Sequence, residues 1–348
     1  MNDLESFSRL VQKGQAARPL VEVPFQSRIG SKVRCEVCPQ RCMFDEGDFG
    51  VCGGRQVIDG RLMAVNYAQV CSLHIDPIEK KPLYHYFPGG EILSVGPNGC
   101  NLTCRWCQNY TISQNRAPTR SVLPEELANM VDALDGIGVA YTYAEPLIWY
   151  EYVMDAGRIL HERGLVNVFV SNGFVNEEPL KNILTIADAF NIDLKSSDDA
   201  CYRHFCGGNL QDVQRTIKMV VEYGKHIEIT HLIVTGVNDQ LEKVGQIADW
   251  IASVDKSIPL HLSRYFPSNY YTAPPTDVQF MLDALELAKA KLDWVYLGNV
   301  RTEAGQDSRC PQCNALLVRR QGYSVEVMGL EDGHCKKCKR KAPFVVVG

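Results

Sequence analysis

The sequence predicts an α/β chain built around a partial, open (βα)6 TIM-like barrel, with a cysteine-rich N-terminal flank and a C-terminal zinc-ribbon-like module. Three observations predict it. Short β-rich apolar runs alternate with amphipathic stretches through the middle of the chain, which implies βαβ units and a parallel sheet. Six to seven such units in roughly 200 residues are too many for a small open sheet and too few for a closed eightfold barrel. The 14 cysteines concentrate in groups at and outside the edges of this alternating region. The expected organisation is residues 1–90 as the N-terminal region, 91–304 as the core and 305–348 as the C-terminal module.

The expected strands are ILSVG (92–96), VAYTY (139–143), VFVS (168–171), FNIDL (190–194), IEITHLIV (227–234), PLHLS (259–263) and WVYLG (294–298). Between them, apolar residues recur at helical spacing over 124–134, 151–163, 211–223, 241–252 and 276–292. Pro124 suits a first helical turn, where its missing N–H is no loss, and Gly164 and Gly224 suit helix ends. A barrel's working residues sit at the C-terminal ends of its strands. Polar groups collect there: Glu145 after the second run, Asn172 after the third, Asp193 and Lys195 around the end of the fourth, and His261, Ser263 and Arg264 in the sixth. Each alone also reads as a helix cap or a satisfied structural group, so their convergence is what points to function.

At 348 residues and 45% hydrophobic, the chain can bury a full core without a partner. Its net charge of −5 gives no basic field for nucleic acid. The start, MNDLESFSRL, lacks the apolar stretch of a signal peptide, and no run of about 18 apolar residues argues for a membrane span. A cytoplasmic, reducing location is expected, in which clustered cysteines ligate metals rather than form disulfides.

The most informative group is Cys100, Cys104 and Cys107 in GPNGCNLTCRWCQNY. A [4Fe–4S] cluster normally takes four thiolates, so three at this spacing hold three irons and expose the fourth. A structural zinc loop would more often be closed by paired C-x2-C hooks. Two such hooks do occur at the C-terminus, Cys310/Cys313 and Cys335/Cys338, a spacing that suits one tetrahedral ion, zinc ahead of iron. Lys336, Lys337, Lys339, Arg340 and Lys341 beside them offset the charge of four thiolates on a divalent ion. Cys35, Cys38, Cys42 and Cys52 form a third group whose spacing fits zinc or a second cluster. Cys71, Cys201 and Cys206 read as small buried hydrophobes.

The C-x3-C-x2-C loop with Trp106 before its last cysteine resembles the signature of the radical S-adenosylmethionine (SAM) superfamily. The resemblance implies that the amino and carboxylate groups of SAM chelate the open iron. Reduction of the cluster then cleaves SAM to methionine and a 5′-deoxyadenosyl radical. TYAEP looks like the variant glycine-glycine-glutamate element of AmmeMemoRadiSam system enzymes, with alanine rather than the expected asparagine at 144, and implies that Glu145 receives the cofactor's ammonium. VSNGF and NIDLKSSD resemble segments that hold the SAM ribose and carboxylate in glycyl-radical activases, which implies roles for Ser171, Asn172, Asp193 and Lys195. His261 in PLHLSRYFP matches an activase histidine near the cofactor, and Trp106 falls near the adenine. DPIEKKPLYHYFPG (76–89) and CPQCNALLVRRQGY extend the AmmeMemoRadiSam likeness from about residue 34 to the C-terminus. That family is related to pyruvate formate-lyase activating enzymes. The likeness implies a Memo-like protein and a small companion protein as partners, an electron donor such as flavodoxin or ferredoxin, and a protein or peptide substrate. An activase of a glycyl-radical enzyme and a non-catalytic zinc adaptor are the alternatives.

Overall fold

The structure, a computed structural model, describes residues 19–346; the N-terminal stretch read above for a signal peptide, residues 1–10, lies outside them. An eight-stranded sheet runs in chain order: β1 (Ser72–Pro77), β2 (Glu91–Gly96), β3 (Gly138–Tyr141), β4 (Val166–Ser171), β5 (Ala189–Asp193), β6 (His226–Ile233), β7 (Leu260–Arg264) and β8 (Val295–Gly298). The pairs from β2 to β8 are all parallel, while β1 runs antiparallel to β2. All seven expected strands are present. The sheet has two free ends, β1 and β8, and its pairing is that of an open sheet with seven parallel strands plus an edge strand drawn from residues 72–77.

Six helices make the crossovers: α1 (Pro124–Ala133), α2 (Tyr150–Glu162), α3 (Glu177–Ile186), α4 (Leu210–Glu222), α5 (Leu241–Asp255) and α6 (Val278–Lys289). Local chemistry explains their ends. Pro124 starts α1 and the Glu126 carboxylate accepts from Leu123 N at 2.8 Å; Asn209 and Asp277 cap α4 and α6 by accepting from Asp212 N and Phe280 N, each at 2.9 Å. Gly164 and Gly224 follow α2 and α4 with φ of 73° and 66°, the left-handed conformation that ends a helix most readily at glycine. Helix α3 was not among the expected stretches. It carries Pro179 in its first turn, and it is held by burial of Leu180, Ile183 and Leu184.

The parallel strands are largely buried, as strands covered on both faces are, but polar side chains are set among their apolar ones, including Asn167 in β4, Asn191 in β5 and His226, Glu228, Thr230 and His231 in β6. Much of this buried polarity is joined in one network. The Glu228 carboxylate accepts from His261 Nε2 at 2.6 Å, His226 Nε2 at 3.0 Å and His85 N at 2.7 Å, and Thr230 Oγ1 donates to Asn191 Oδ1 at 2.8 Å. Burial alone would raise the Glu228 carboxyl, but the bonds from the two histidines hold it well below the usual range.

The N-terminal flank forms two small antiparallel sheets, one joining Gln26–Ile29, Lys32–Cys35 and Met43–Phe44. It packs directly on the loop after β2: a Cβ on Gly99, where φ is 103°, would lie 2.0 Å from the Cys52 carbonyl oxygen. The C-terminal segment forms a three-stranded sheet of Ser308–Arg309, Leu316–Gln321 and Ser324–Val327. It is locked to the core by Arg320, whose side chain is fully buried. Arg320 donates to Tyr84 O at 2.6 Å and Ser308 Oγ at 2.8 Å, and its guanidinium lies 4.2 Å over the Tyr84 ring.

Candidate functional site

The C-terminal ends of the parallel strands open into a cavity of about 1220 Å³. Cys100, Cys104, Cys107, Trp106, Glu145, Ser171, Asn172, Asp193, Lys195 and His261 all line it. Residues separated by up to 161 positions in sequence thus share one chamber, because sequential parallel strands deliver every strand end to the same side of the sheet.

The cluster loop follows β2 directly. Leu102 N donates to Cys100 Sγ at 3.4 Å, Asn172 Nδ2 approaches the same sulfur at 3.5 Å, and Cys107 Sγ lies 3.1 Å from Ser113 Oγ. Burial, with the Glu145 carboxylate and Cys104 as further causes, pushes the Cys100 thiol well up, and burial raises Cys107 as well. These two thiols, held in a buried chamber, resist ionisation by themselves, so the donor set fits a group that brings positive charge, as an iron–sulfur cluster does.

Glu145 sits just beyond β3, at the start of the short 3-10 turn Pro146–Trp149. Its Oε1 accepts from Leu147 N at 2.9 Å and Ser171 Oγ at 2.8 Å, and its Oε2 accepts from Asn172 N at 2.9 Å. A carboxylate offers about four lone-pair directions, so one remains on Oε2. Burial raises the Glu145 carboxyl to about 7 against the pull of these donors. Asn172 also bonds Asn101 Oδ1 at 2.9 Å, and Asn101 Nδ2 donates to Phe174 O at 2.6 Å, which ties the Asn-Gly turn after β4 to the cluster loop.

Lys195 pairs with Asp193 at 2.8 Å; burial lowers its ammonium, but Asp193 and the Cys104 and Cys206 thiols hold it well above the ordinary range. His261 presents its ring to the cavity while Nε2 bonds Glu228, and its ring meets Tyr84 edge-on with centroids 4.7 Å apart. Trp106 is 3% exposed and packs against Phe205 and Tyr271.

Several lining residues fall inside motifs quoted above but were given no role from sequence. Tyr143, in the left-handed region at φ 69°, donates its hydroxyl to Asp76, which also pairs with Lys80 at 2.7 Å and Lys81 at 2.6 Å. The charged stretch 76–81 is therefore both self-paired and part of the cavity wall. Burial, ahead of any gain from Asp76, lowers the Lys81 ammonium to about 8. Gly322 and Tyr323, at the tip of the C-terminal hairpin, also line the cavity. Cys206, read from sequence as an inert hydrophobe, lies within hydrogen-bonding reach of Cys104 but does not line the cavity. Nothing in its sequence neighbourhood pairs the two; the π-helical turn Tyr202–Cys206 brings them together.

At the C-terminus, Cys310, Cys313, Cys335 and Cys338 place their sulfurs within 4.8 Å of one another, with 3.5 Å between Cys310 and Cys338 and 3.6 Å between Cys313 and Cys335. That is a four-thiol group able to hold a metal ion. Of the basic residues beside it, Lys339 pairs with Glu331 and Arg340 with Asp293. Cys35, Cys38, Cys42 and Cys52 fold near one another and near Asn101, but among the described residues they do not form such a compact group. Burial raises Cys35 to about 11. No helix among the described residues is long and apolar enough to cross a membrane.

Residues 95–251 match the Radical SAM superfamily. The Methanocaldococcus jannaschii protein MJ0808, described as uncharacterized, is 39% identical over 324 residues, covering 91% of this chain and 96% of that protein. The pyruvate formate-lyase-activating enzyme of Clostridium pasteurianum is 25% identical over 172 residues, 48% of this chain and 72% of that enzyme. Among solved structures, Streptococcus suis SuiB bound to S-adenosylmethionine aligns with a TM-score of 0.49 at 13% identity, over 62% of this chain and 50% of that one. Superfamily membership implies a [4Fe–4S] cluster and SAM, and the three-cysteine loop of this chain lies inside the matched segment. The chain carries a radical SAM domain, belongs along nearly its whole length to one family with the M. jannaschii protein, and is a radical SAM enzyme related to glycyl-radical activases.

Proposed function

We propose that the enzyme reductively cleaves SAM at a cluster held by Cys100, Cys104 and Cys107 and uses the 5′-deoxyadenosyl radical to take a hydrogen atom from a protein or peptide. The supporting observation is that the three thiols and the polar strand-end residues line one cavity of about 1220 Å³. The cluster supplies the electron that breaks the sulfonium bond; the protein binds, orients and excludes water. In this reading Glu145 offers its free Oε2 lone pair to the cofactor's ammonium, and Lys195 faces the carboxylate. Ser171, Asn172 and Asp193 would hold the ribose, and Trp106 and His261 would bound the cofactor, since all five line the cavity. The six crossovers between seven parallel strands are, in the same reading, the wall of a partial barrel. Residues 1–90 and 305–348 are its flanking metal modules, with zinc at Cys310, Cys313, Cys335 and Cys338 and zinc or a second cluster at Cys35, Cys38, Cys42 and Cys52.

The sequence features shared with AmmeMemoRadiSam system enzymes support a Memo-like protein and a small companion protein as partners, in the cytoplasm, with no role for nucleic acid. Similarity to pyruvate formate-lyase-activating enzymes favours a second reading, activation of a glycyl-radical enzyme. Anaerobically reconstituted enzyme, reduced with dithionite, should release 5′-deoxyadenosine from SAM. Deuterium should appear in that product when the companion proteins are made from deuterated amino acids, and from a glycyl-radical enzyme if the second reading holds. Stoichiometric turnover of a small metabolite with no transfer from any protein would remove the macromolecular substrate.

A further inference from the structure

We propose that the outer face of the cluster loop is the docking surface for an acidic one-electron carrier protein, anchored by Arg105 and Arg116. This rests on the cluster reading above and adds to it the side from which the electron arrives.

The chain carries a net charge of −5, yet residues 98–123 hold three arginines and not one Asp or Glu. Arg105 stands between two cluster cysteines, exposed, with its guanidinium 5.5 Å over the Phe205 ring. Arg116, also exposed, lies 5.2 Å over Phe49 and donates to Gly53 O at 3.0 Å. Among the described residues neither has an acidic partner, whereas neighbouring surface arginines do: Arg203 pairs with Asp199 at 2.6 Å and Arg41 with Glu36 at 3.7 Å. Two guanidiniums without counter-ions, laid on aromatic faces, are the residue types enriched at protein interfaces.

The apolar part of the surface is contiguous with the loop. Tyr270 N donates to Arg105 O at 3.1 Å, Gln108 Nε2 to Phe266 O at 3.0 Å and Ser268 Oγ to Cys107 O at 3.0 Å. Gln114, two residues before Arg116, donates to Cys104 O at 2.9 Å. Tyr270, bonded to Arg105, and Phe49, beneath Arg116, are 82% and 52% exposed. Of the acids nearest Phe49 in sequence, Asp45 is paired with Lys32, while Glu46 and Asp48 accept from backbone N–H groups and keep their charge at the edge of this surface. Cys107 is partly exposed and its carbonyl is tied to this surface, so a carrier seated here approaches the cluster across little more than the loop.

Charge complementarity decides the occupant. Unpaired cations on an otherwise acidic chain steer an acidic partner. The transfer is one electron: the carrier is oxidised by one, the cluster goes from +2 to +1, and no bond or proton moves.

The test uses reconstituted holoenzyme and flavodoxin as the carrier. In the Arg105→Glu/Arg116→Glu double variant, the Kd for oxidised flavodoxin and the reduced-flavodoxin concentration for half-maximal 5′-deoxyadenosine formation should both rise about tenfold or more at low salt. Wild-type binding should weaken as ionic strength rises from about 0.01 to 0.15 M, because screening shortens from about 30 to 8 Å. Dithionite-driven cleavage and iron content should stay within about twofold, and the Arg→Lys pair should restore binding, since steering needs charge rather than a fork. Unchanged flavodoxin binding in the double variant overturns the proposal, as does an equal loss with dithionite, or self-association of the wild type through this face. Absence of iron from the reconstituted wild type overturns the cluster reading itself, and this inference with it.

Discussion

Glu145→Gln isolates the proposed cofactor contact. Three donors already point at this carboxylate, two at Oε1 and one, Asn172 N, at Oε2. The glutamine isostere keeps the Oε1 bonds by placing its amide nitrogen where Oε2 was. A donor then faces Asn172 N, and the remaining lone pair is lost. The lost internal bond should cost about 1–3 kcal/mol of stability, tolerable in a core of this size, so the fold should survive. Towards SAM, replacing a charge-assisted hydrogen bond by a repelling donor should cost about 1.5–3 kcal/mol, which is about ten- to a hundredfold in affinity. The pH dependence adds a signature. Burial raises the wild-type carboxyl to about 7, so the folded protein without ligand favours the protonated form. Stability from this group is full below the ordinary carboxylate pKa and is lost as pH rises through about 7. An ammonium ligand needs the carboxylate instead, so wild-type affinity should rise through about pH 7, and in the Glu145→Gln enzyme that step should vanish. Equilibrium titration of SAM against the reduced cluster's paramagnetic spectrum, from about pH 5.5 to 8, reads both. An affinity within about twofold of wild type, with the pH step intact, would place the ammonium elsewhere.

Cys104→Ser should abolish 5′-deoxyadenosine formation and strip about four irons per chain, whereas Cys206→Ser, which changes a thiol outside the cavity, should retain them; equal iron loss in both would make Cys206 a ligand. Cys313→Ser should release about one zinc and increase protease cleavage after residue 305 without loss of cluster iron, by metal analysis and limited proteolysis. Iron lost and zinc kept would show the two sites exchanged.

Much of this was open to inspection in one dimension. Alternation of apolar runs with helical periods identified all seven parallel strands, because strands buried on both faces are rich in apolar residues and so stand out from their flanks. The cysteine spacings picked out the loop of Cys100, Cys104 and Cys107, which lines the cavity, and the C-terminal hooks, whose four sulfurs converge, since groups on one short loop stay close in space. Strand-end polarity picked out Glu145, Asn172, Asp193 and Lys195, all of which line that cavity. Tertiary structure alone decided what depends on contacts between distant segments. It brought Cys206 against Cys104 through the π-turn at Tyr202–Cys206 and set the Asp76 carboxylate among Lys80, Lys81 and Tyr143. It also carried Tyr323 over the cavity on a hairpin fixed by buried Arg320. Helix α3 was passed over although it is as long as α1 and its apolar Leu180, Ile183 and Leu184 recur at helical spacing; Pro179 falls in its first turn, where a missing N–H breaks no helical bond. Periodicity and ligand spacing are local consequences of backbone geometry and coordination, which a sequence records directly. The state of Glu145, held near neutrality by burial against three donors from two separate loops, is a property of the assembled interior.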